Sequence, residues 1–500
     1  MPSQNRRNEA DFADAYVAGS PAYRPGTVPT SIAPYGDADG PAPAAPATRR
    51  KQRQLRRTLS FSSAEGMAAE LITSFVGGSV LTGWAIFLGC SPLVIAMLGA
   101  LPFLAQLVQF PAAWITSRFG SRRTAIACYA VGRLAYLPLI ALPFLPIGRE
   151  MQRAILLAVA GTSAAFVVMG SNAWTAWMGD VVPGTLRGRY FGKRLSLVTV
   201  SGAAGVLAAG LLLDVARRGG WEAAALAGLA AAASLAGAVT IVFLLQHQDA
   251  PVDRRRAAAH FELRAVVRAL RDPAMRPLLR YQLAWNAAIG VASAFFAVHE
   301  LQNLKMGYAL IAAHATAVAA MRVFVSPFWG KLIDRVGAQP VLVLCSFTLP
   351  VVPLVWLLLT PGASLWPLVL DVILAGALWA GHMLAVFELP LAVAPREGRP
   401  YYLAAFSTAG GIAFAAASLV GGLLAQSLPA TVHVFGGTFG NLHVLFALSA
   451  AGRLLAAPLA LGIVEPGAQP IEAMLRVAAE RMQLGRAQLA RAFAFVGGKR

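Results

Sequence analysis

The sequence predicts an all-α polytopic membrane protein with twelve transmembrane helices. Three observations carry that expectation. Apolar runs of roughly 20 residues, the length that crosses a bilayer, recur through nearly the whole chain. Hydrophobic residues make up 57% of the 500 and charged residues only 13%, about half the charge that a soluble surface needs. The basic residues fall between the apolar runs on alternate sides, as the positive-inside rule requires. The length alone would suggest several soluble domains, but the mean hydropathy of +0.61 overrules that.

The chain opens on a polar stretch rich in Pro, Ala and Gly, such as Pro41-Ala42-Pro43-Ala44-Ala45-Pro46. Such a composition cannot bury a core, so residues 1–60 are expected to be a disordered basic tail. They contain no apolar run that would make a signal peptide. The basic cluster from Arg49 to Arg57 should hold them in the cytoplasm. Six spans are expected within 61–246, near 64–89, 92–117, 124–146, 152–178, 190–214 and 221–246. Six more are expected within 278–464, near 278–300, 307–333, 339–360, 366–393, 402–427 and 441–464. Turn chemistry separates them, as at Ser91-Pro92, Pro361-Gly362 and Gly436-Gly437. The cytoplasmic central loop, 247–277, carries Arg254-Arg255-Arg256, and its portion from Phe261 to Leu270 could lie on the membrane as a short helix. In the cytoplasmic tail 465–500, Ile471, Leu475, Ala478, Met482, Leu489 and Phe493 recur at helical spacing among arginines. That pattern reads as an amphipathic interfacial helix; a solvated or self-associating helix is the alternative. With the N-terminus inside, 33 Lys and Arg fall on the cytoplasmic side against five in the opposite loops, and 18 against five without the tails.

The formal net charge of +19 does not build a nucleic-acid-binding face, because it is divided among loops. Anionic lipid headgroups are the expected partner. Cys90, Cys128 and Cys345 lie in separate apolar runs without metal-ligand spacing, so neither a disulfide nor a metal is expected. No H-E-x-x-H, G-x-S-x-G or complete phosphate-binding loop occurs, and the His residues form no nucleophile–base constellation. No enzyme and no cofactor are expected.

Two landmarks recur. Gly330-Lys331-Leu332-Ile333-Asp334-Arg335-Val336-Gly337 ends the eighth span, and Ala113-Trp114-Ile115-Thr116-Ser117-Arg118-Phe119-Gly120 ends the second, 217 positions earlier. Cys128 and Cys345 repeat at the same shift. Pro183, Arg187 and Tyr190 match Pro395, Arg399 and Tyr402 at a shift of 212, and Gly210 matches Gly422 likewise. Ordered landmarks with nearly equal offsets mark an internal duplication. On the twelve spans, the six-plus-six split and the repeated G-x-x-x-D-R-x-G pattern, residues from about 60 to 465 resemble the major facilitator superfamily of secondary transporters. The second copy keeps Gly330, Asp334, Arg335 and Gly337; the first keeps Arg118 and Gly120 but has Ala113 for Gly and Ser117 for Asp.

The resemblance implies two six-helix bundles rocking about a central site. It also marks a cytoplasmic gate of Ser117, Arg118, Gly120, Pro183, Arg187, Gly188, Gly330, Asp334, Arg335 and Gly337. Physically, a Gly lets helices approach closely, and an acid can cap a neighbouring helix N-terminus. The second-half copy, with its acid intact, should matter more. The fifth span, Ser201 to Gly210, lacks the Pro of the family's proton-linked drug antiporters, which argues against drug efflux.

Ionisable groups inside spans are costly and are functional candidates by default. Glu70, Ser74 and Gly77 make a polar stripe in the first span, although helix packing would also explain it. Arg133 reads equally as an ion pair or a substrate ligand, Arg453 as structural, and Arg280 as snorkelling to a span end. Arg322 needs an anion, either Glu70 or an acid group of the substrate. Gln282, Asn286, Ser293 and Glu300 stay within about 40° of one face of the seventh span. Asp371 and His382 nearly eclipse on the tenth. Gln106 and Gln109 in the second span and Asn172, Trp174 and Trp177 in the fourth add polar and aromatic surface. The first, fourth, seventh and tenth spans line the cavity by resemblance. The expected substrate or proton pathway is Glu70, Gln106, Asn172, Trp174, Gln282, Asn286, Arg322, Asp371 and His382. Carboxylates on it could take up protons, since burial disfavours the ionised form.

The expected function is secondary active transport of a small organic solute by alternating access, with a proton as coupling ion. The expected form is a monomeric multi-pass membrane protein, in the cytoplasmic (inner) membrane if the source is bacterial, with both termini cytoplasmic. The rival expectation is a non-transport protein of the same fold, a receptor or a membrane assembly factor.

Overall fold

In lipid each backbone N–H must be bonded within its own segment, so long runs of Ala, Leu and Val propagate as helices. A computed structural model describes residues 46–182, 184–248, 263–395, 399–429, 431–434 and 437–470. The chain divides into Met1–Lys51 and Gln52–Arg500. Of the first unit only helical residues 46–51 are described, and the packing below concerns the second. The expectations for residues 1–45, for the amphipathic tail from 471 onward and for Pro183 lie outside the described residues.

Helix α1 (Pro46–Val76) yields at Gly77 to α2 (Gly78–Phe87). The described end of the expected 1–60 tail is therefore helical, not disordered. Pro46 is pre-set for the first helical position, and the Arg-, Lys- and Gln-rich residues after it are good helix formers. The segment expected as the second span is broken: α3 (Pro92–Leu104) passes through a 3-10 turn (Ala105–Val108) into α4 (Gln109–Phe119). Pro102 and Pro111 each remove a backbone donor there. Then come α5 (Ser121–Leu134), α6 (Arg149–Val181), α7 (Gly184–Gly219) and α8 (Glu222–Leu245). Short α9 (Leu263–Arg271) coincides with the helix expected in the central loop.

The second half holds α10 (Arg276–Ser293), α11 (Tyr308–Val336), α12 (Ala338–Thr348), α13 (Pro367–Val393) and α14 (Arg399–Ser427). A hairpin of β1 (Thr431–Val434) and β2 (Gly437–Gly440) precedes α15 (Asn441–Ala456), with His433 opposite Thr438. The sequence reading places only a loop there; β-branched Thr431, Val432, Val434 and Thr438 favour strands. Among the described residues, 11 helices are long and apolar enough to cross a membrane, and Pro92–Val108 is a shorter apolar one. The protein is a multi-pass integral membrane protein of essentially all-α build.

Buried apolar side chains fall into three groups. The largest joins both halves of the chain, with Val80, Trp84 and Leu139 in one group with Phe295, Tyr308, Trp356 and Phe446. A second is drawn from the second half alone, including Tyr281, Trp285, Leu332 and Tyr402. A third is drawn from the first half alone, including Ala125, Tyr129, Trp177 and Leu244. The halves thus share a core at the end where α3 begins and α7 ends, and keep separate cores at the other. At the shared end, a Cβ on Gly210 would lie 2.7 Å from the Tyr308 carbonyl oxygen, and one on Gly422 2.7 Å from Ala96 Cβ. Only glycine permits so close an approach. These are the glycines that the repeat aligns. Asp214 accepts from the N–H of Tyr308 at 2.6 Å and of Ala309 at 3.0 Å, which caps α11 from α7. Ser418 Oγ on α14 donates to the Ala96 carbonyl at 3.1 Å.

Candidate functional site

Two buried charge clusters stand out, one in each half. In the first half Glu65 on α1 meets Arg133 on α5 at 2.6 Å and Arg194 on α7 at 3.1 Å. Arg133 lies 3.9 Å from the Tyr129 ring centre and Arg194 4.5 Å from that of Trp174. The expectation of an ion pair at Arg133 is met by an acid, Glu65, that the sequence reading did not single out.

In the second half His314 on α11 stands between two acids. Its Nδ1 is 3.3 Å from Glu300 and its Nε2 3.1 Å from Asp371. Trp356 Nε1 donates to the other oxygen of Asp371 at 2.9 Å. Glu300 sits on a π-helical turn, His299–Asn303, that extends α10; such turns often mark functional sites. Every nitrogen–oxygen contact needs one hydrogen. The two contacts of His314 therefore hold two protons among three groups. Removal of one leaves a ring lone pair facing a carboxylate, and the contact becomes repulsive.

A third group surrounds Gly410-Gly411 in the middle of α14. A Cβ on Gly410 would lie 2.5 Å from Gln282 Nε2 and 3.1 Å from Asn286 Nδ2; one on Gly411 would lie 3.6 Å from Gln106 Cβ. Asn286 Nδ2 donates to the Gln282 carbonyl at 2.8 Å, and Phe103 stacks on Phe414 beside them, 3.5 Å between centroids. His382 is elsewhere: its Nε2 pairs with the Tyr281 hydroxyl at 2.8 Å, and its ring stacks on Trp285.

The remaining pathway candidates do not join these groups. Glu70 packs against Gly202 of α7, next to Ser74, which donates to the Gly202 carbonyl at 3.1 Å. Arg322 finds Met383 sulfur at 3.7 Å and not Glu70. Asn172 is half-buried on α6. His314 was missed although it is an ionisable group within a span; it stands alone in Ala312-Ala313-His314-Ala315, and its acids lie far along the chain.

Among the gate residues, Gly120 (φ 87°) and Gly337 (φ 94°) turn one helix into the next, a backbone region that favours glycine. Arg118 is exposed and lies over Trp114, and Asp334 and Arg335 are exposed. Gly330 has nothing within 4 Å of where a Cβ would sit. Ser117 lies on α4, and Arg187 and Gly188 on α7. The acid at the N-terminus of α12 is not Asp334 but Glu465, which accepts from the Gln339 N–H at 2.7 Å. Gln469 N–H in turn donates to the Val336 carbonyl at 2.9 Å. Among the described residues no cluster of His, Cys, Asp and Glu could hold a metal ion.

The sequence profile described as Major Facilitator Superfamily matches residues 66–416. No curated protein matches the chain. Among solved structures, a point mutant of the nucleoside transporter NupG is similar with a TM-score of 0.62 at 13% identity, over 83% of this chain and 100% of that one. The inward-open xylose transporter XylE from E. coli gives 0.62 at 11% identity, over 85% and 99%. An inward-facing bacterial homologue of the iron transporter ferroportin gives 0.58 at 14%, over 82% and 98%. At such identities the likeness shows the fold.

Proposed function

Because the chain belongs to the Major Facilitator Superfamily, we propose that it is a secondary active transporter that moves a small organic solute by alternating access, coupled to protons. The observation that carries this reading is the distribution of the cores. A protein whose halves share a core at one end and part at the other has a cleft open to one side. The mobile units are two six-helix bundles, 61–246 and 278–464, joined by the loop 247–277, with broken α3–α4 as one of twelve crossings. The bias of Lys and Arg puts the parted end, with Gly120 and Gly337, in the cytoplasm beside anionic headgroups. Both termini are then cytoplasmic, and the protein works as a monomer.

The solute path runs past Gln106, Gln282 and Asn286 on one wall and Trp174 with Asn172 on the other. Glu70, Arg322 and His382 lie further along it. His314 and Asp371, with Glu300, carry the coupling proton. His314 lies under two turns from Tyr308, the residue that Asp214 caps, so loss of a proton from the cluster strains the closed end. Polar and charged side chains inside a membrane bundle are the expected carriers of such a relay. The gate at the cytoplasmic end comprises Ser117, Arg118, Gly120, Pro183, Arg187, Gly188, Gly330, Asp334, Arg335 and Gly337.

The test uses purified protein. Solutes that raise its melting temperature are offered to proteoliposomes under an imposed pH gradient. Uptake that follows the gradient supports the reading. A rate flat across the gradient removes the coupling, and no flux of any stabilising solute removes transport.

A further inference from the structure

We infer that the second half binds a buried monovalent anion of the chloride class between α10, α13 and α15, a site that goes beyond the transport reading above and borders it at His382. Arg453 on α15 is 3% exposed, yet its Nε and Nη1 have no hydrogen-bond partner among the described residues. Trp285 on α10 is 1% exposed, and its Nε1 has none either. Both side chains meet one ring cluster on α13. Trp285 stacks on His382 at 4.8 Å, the Arg453 guanidinium carbon lies 5.7 Å from the Trp379 ring centre, and Trp379 lies 5.2 Å from His382.

The helix packing brings the two donors to one level. Ser449 Oγ donates to the Ala288 carbonyl at 2.6 Å, and Phe446 stacks at 4.5 Å on Phe296 of the helical turn Phe295–Val298 that follows α10. Residue numbers rise along α10 as they fall along α15, so the helices are antiparallel. Trp285 is one turn from Ala288, and Arg453 one turn from Ser449, toward the same end.

The neighbouring acceptors are engaged elsewhere. The Tyr281 hydroxyl is shared with Ser346 and His382, both at 2.8 Å. One Asp371 oxygen faces His314 at 3.1 Å and the other takes Trp356 at 2.9 Å. What remains is two buried side chains at one level of the bundle with unpaired N–H donors, one of them carrying a fixed positive charge. Asp371 is near enough to act on Arg453 electrostatically, but it does not accept from the Nε or Nη1 of that guanidinium, and buried donors left unpaired are unfavourable. Water would satisfy donors but bring hydrogens that themselves need acceptors, and it carries no charge. A spherical anion accepts from every side and has no hydrogens.

The experiment is a melting curve of the purified protein at constant ionic strength, with sodium gluconate replaced stepwise by sodium chloride or bromide. The wild type should show a saturable rise in melting temperature with halide. Trp285→Phe keeps the ring stack and loses one N–H, so its apparent halide affinity should fall about tenfold. Arg453→Met should lose the response. Equal melting in gluconate and chloride for the wild type overturns the site. So does a halide response in Trp285→Phe equal to that of the wild type, which also keeps the test decisive if Arg453→Met does not fold.

Discussion

In the first half an acid lies between two bases, Glu65 between Arg133 and Arg194; in the second a base lies between two acids, His314 between Glu300 and Asp371. The two clusters are inverse in charge and in behaviour. Arginine keeps its proton under all ordinary conditions, so the first cluster is a fixed clamp on α1, α5 and α7. The second contains only groups that exchange protons. The repeat does not supply either cluster twice. A shift of 217 puts Gln282 where Glu65 stands and Met97 where His314 stands. The halves share spaced landmarks in sequence, but each buries a different arrangement of charge.

The largest expected effect tests the exchangeable cluster. His314→Asn should reduce gradient-driven solute accumulation in proteoliposomes to the protein-free level while solute counterflow without a gradient persists. Accumulation at the wild-type level would end the contrast. Next, Glu65→Gln leaves two guanidiniums facing each other without their acid. The loss should be about 3–5 kcal/mol, read as a lower melting temperature in detergent, with an unchanged proton-to-solute ratio in the protein that survives. A changed ratio would mean that the clamp also couples.

A smaller effect is expected at the shared end. Asp214→Asn weakens the cap on α11 by about 0.5–2 kcal/mol. A Ser418→Cys reporter, buried at that end, should then react faster with an impermeant maleimide. The smallest effect is at His247, just past α8, where burial holds the imidazole below its ordinary value of 6.5 despite the Phe243 carbonyl beside it. The folded form then binds fewer protons than the unfolded one. Its contribution is present above about pH 6.5 and is lost as pH falls through the lower folded value. His247→Asn should therefore flatten a small part of the decline in melting temperature between pH 7.5 and pH 5.5.

The skeleton was legible because hydropathy, charge bias and repeat spacing are properties of neighbouring residues. Gly210 and Gly422 were paired by spacing alone, and both prove to be close approaches. Side-chain partnership was less legible. Asp371 was visible as an in-span acid, but His314 is 57 positions away from it, and Arg194 is 129 from Glu65. Periodicity reports which face a residue occupies and not which other helix meets that face. Glu70 and Arg322 show the cost: each is an isolated charge in an apolar run, and of the two anions the sequence offers Arg322, Glu70 or a substrate acid, Glu70 packs on α7 instead and Arg322 lies against Met383. Glu465 escaped notice because it follows the last span, where an acid is unremarkable in sequence.

The two glycine approaches also speak of ancestry. Gly210 of the first half touches Tyr308 and Ala309 of the second, while Gly422 of the second touches Leu93 and Ala96 of the first. Tyr308 and Leu93 begin corresponding helices, so each half offers the same two patches and receives the same two in return. Such reciprocity is the mark of a two-fold homodimer. An ancestral half with these patches would need no new contact on fusion to its own copy. Cut again within the central loop and expressed together, the two halves should still find one another.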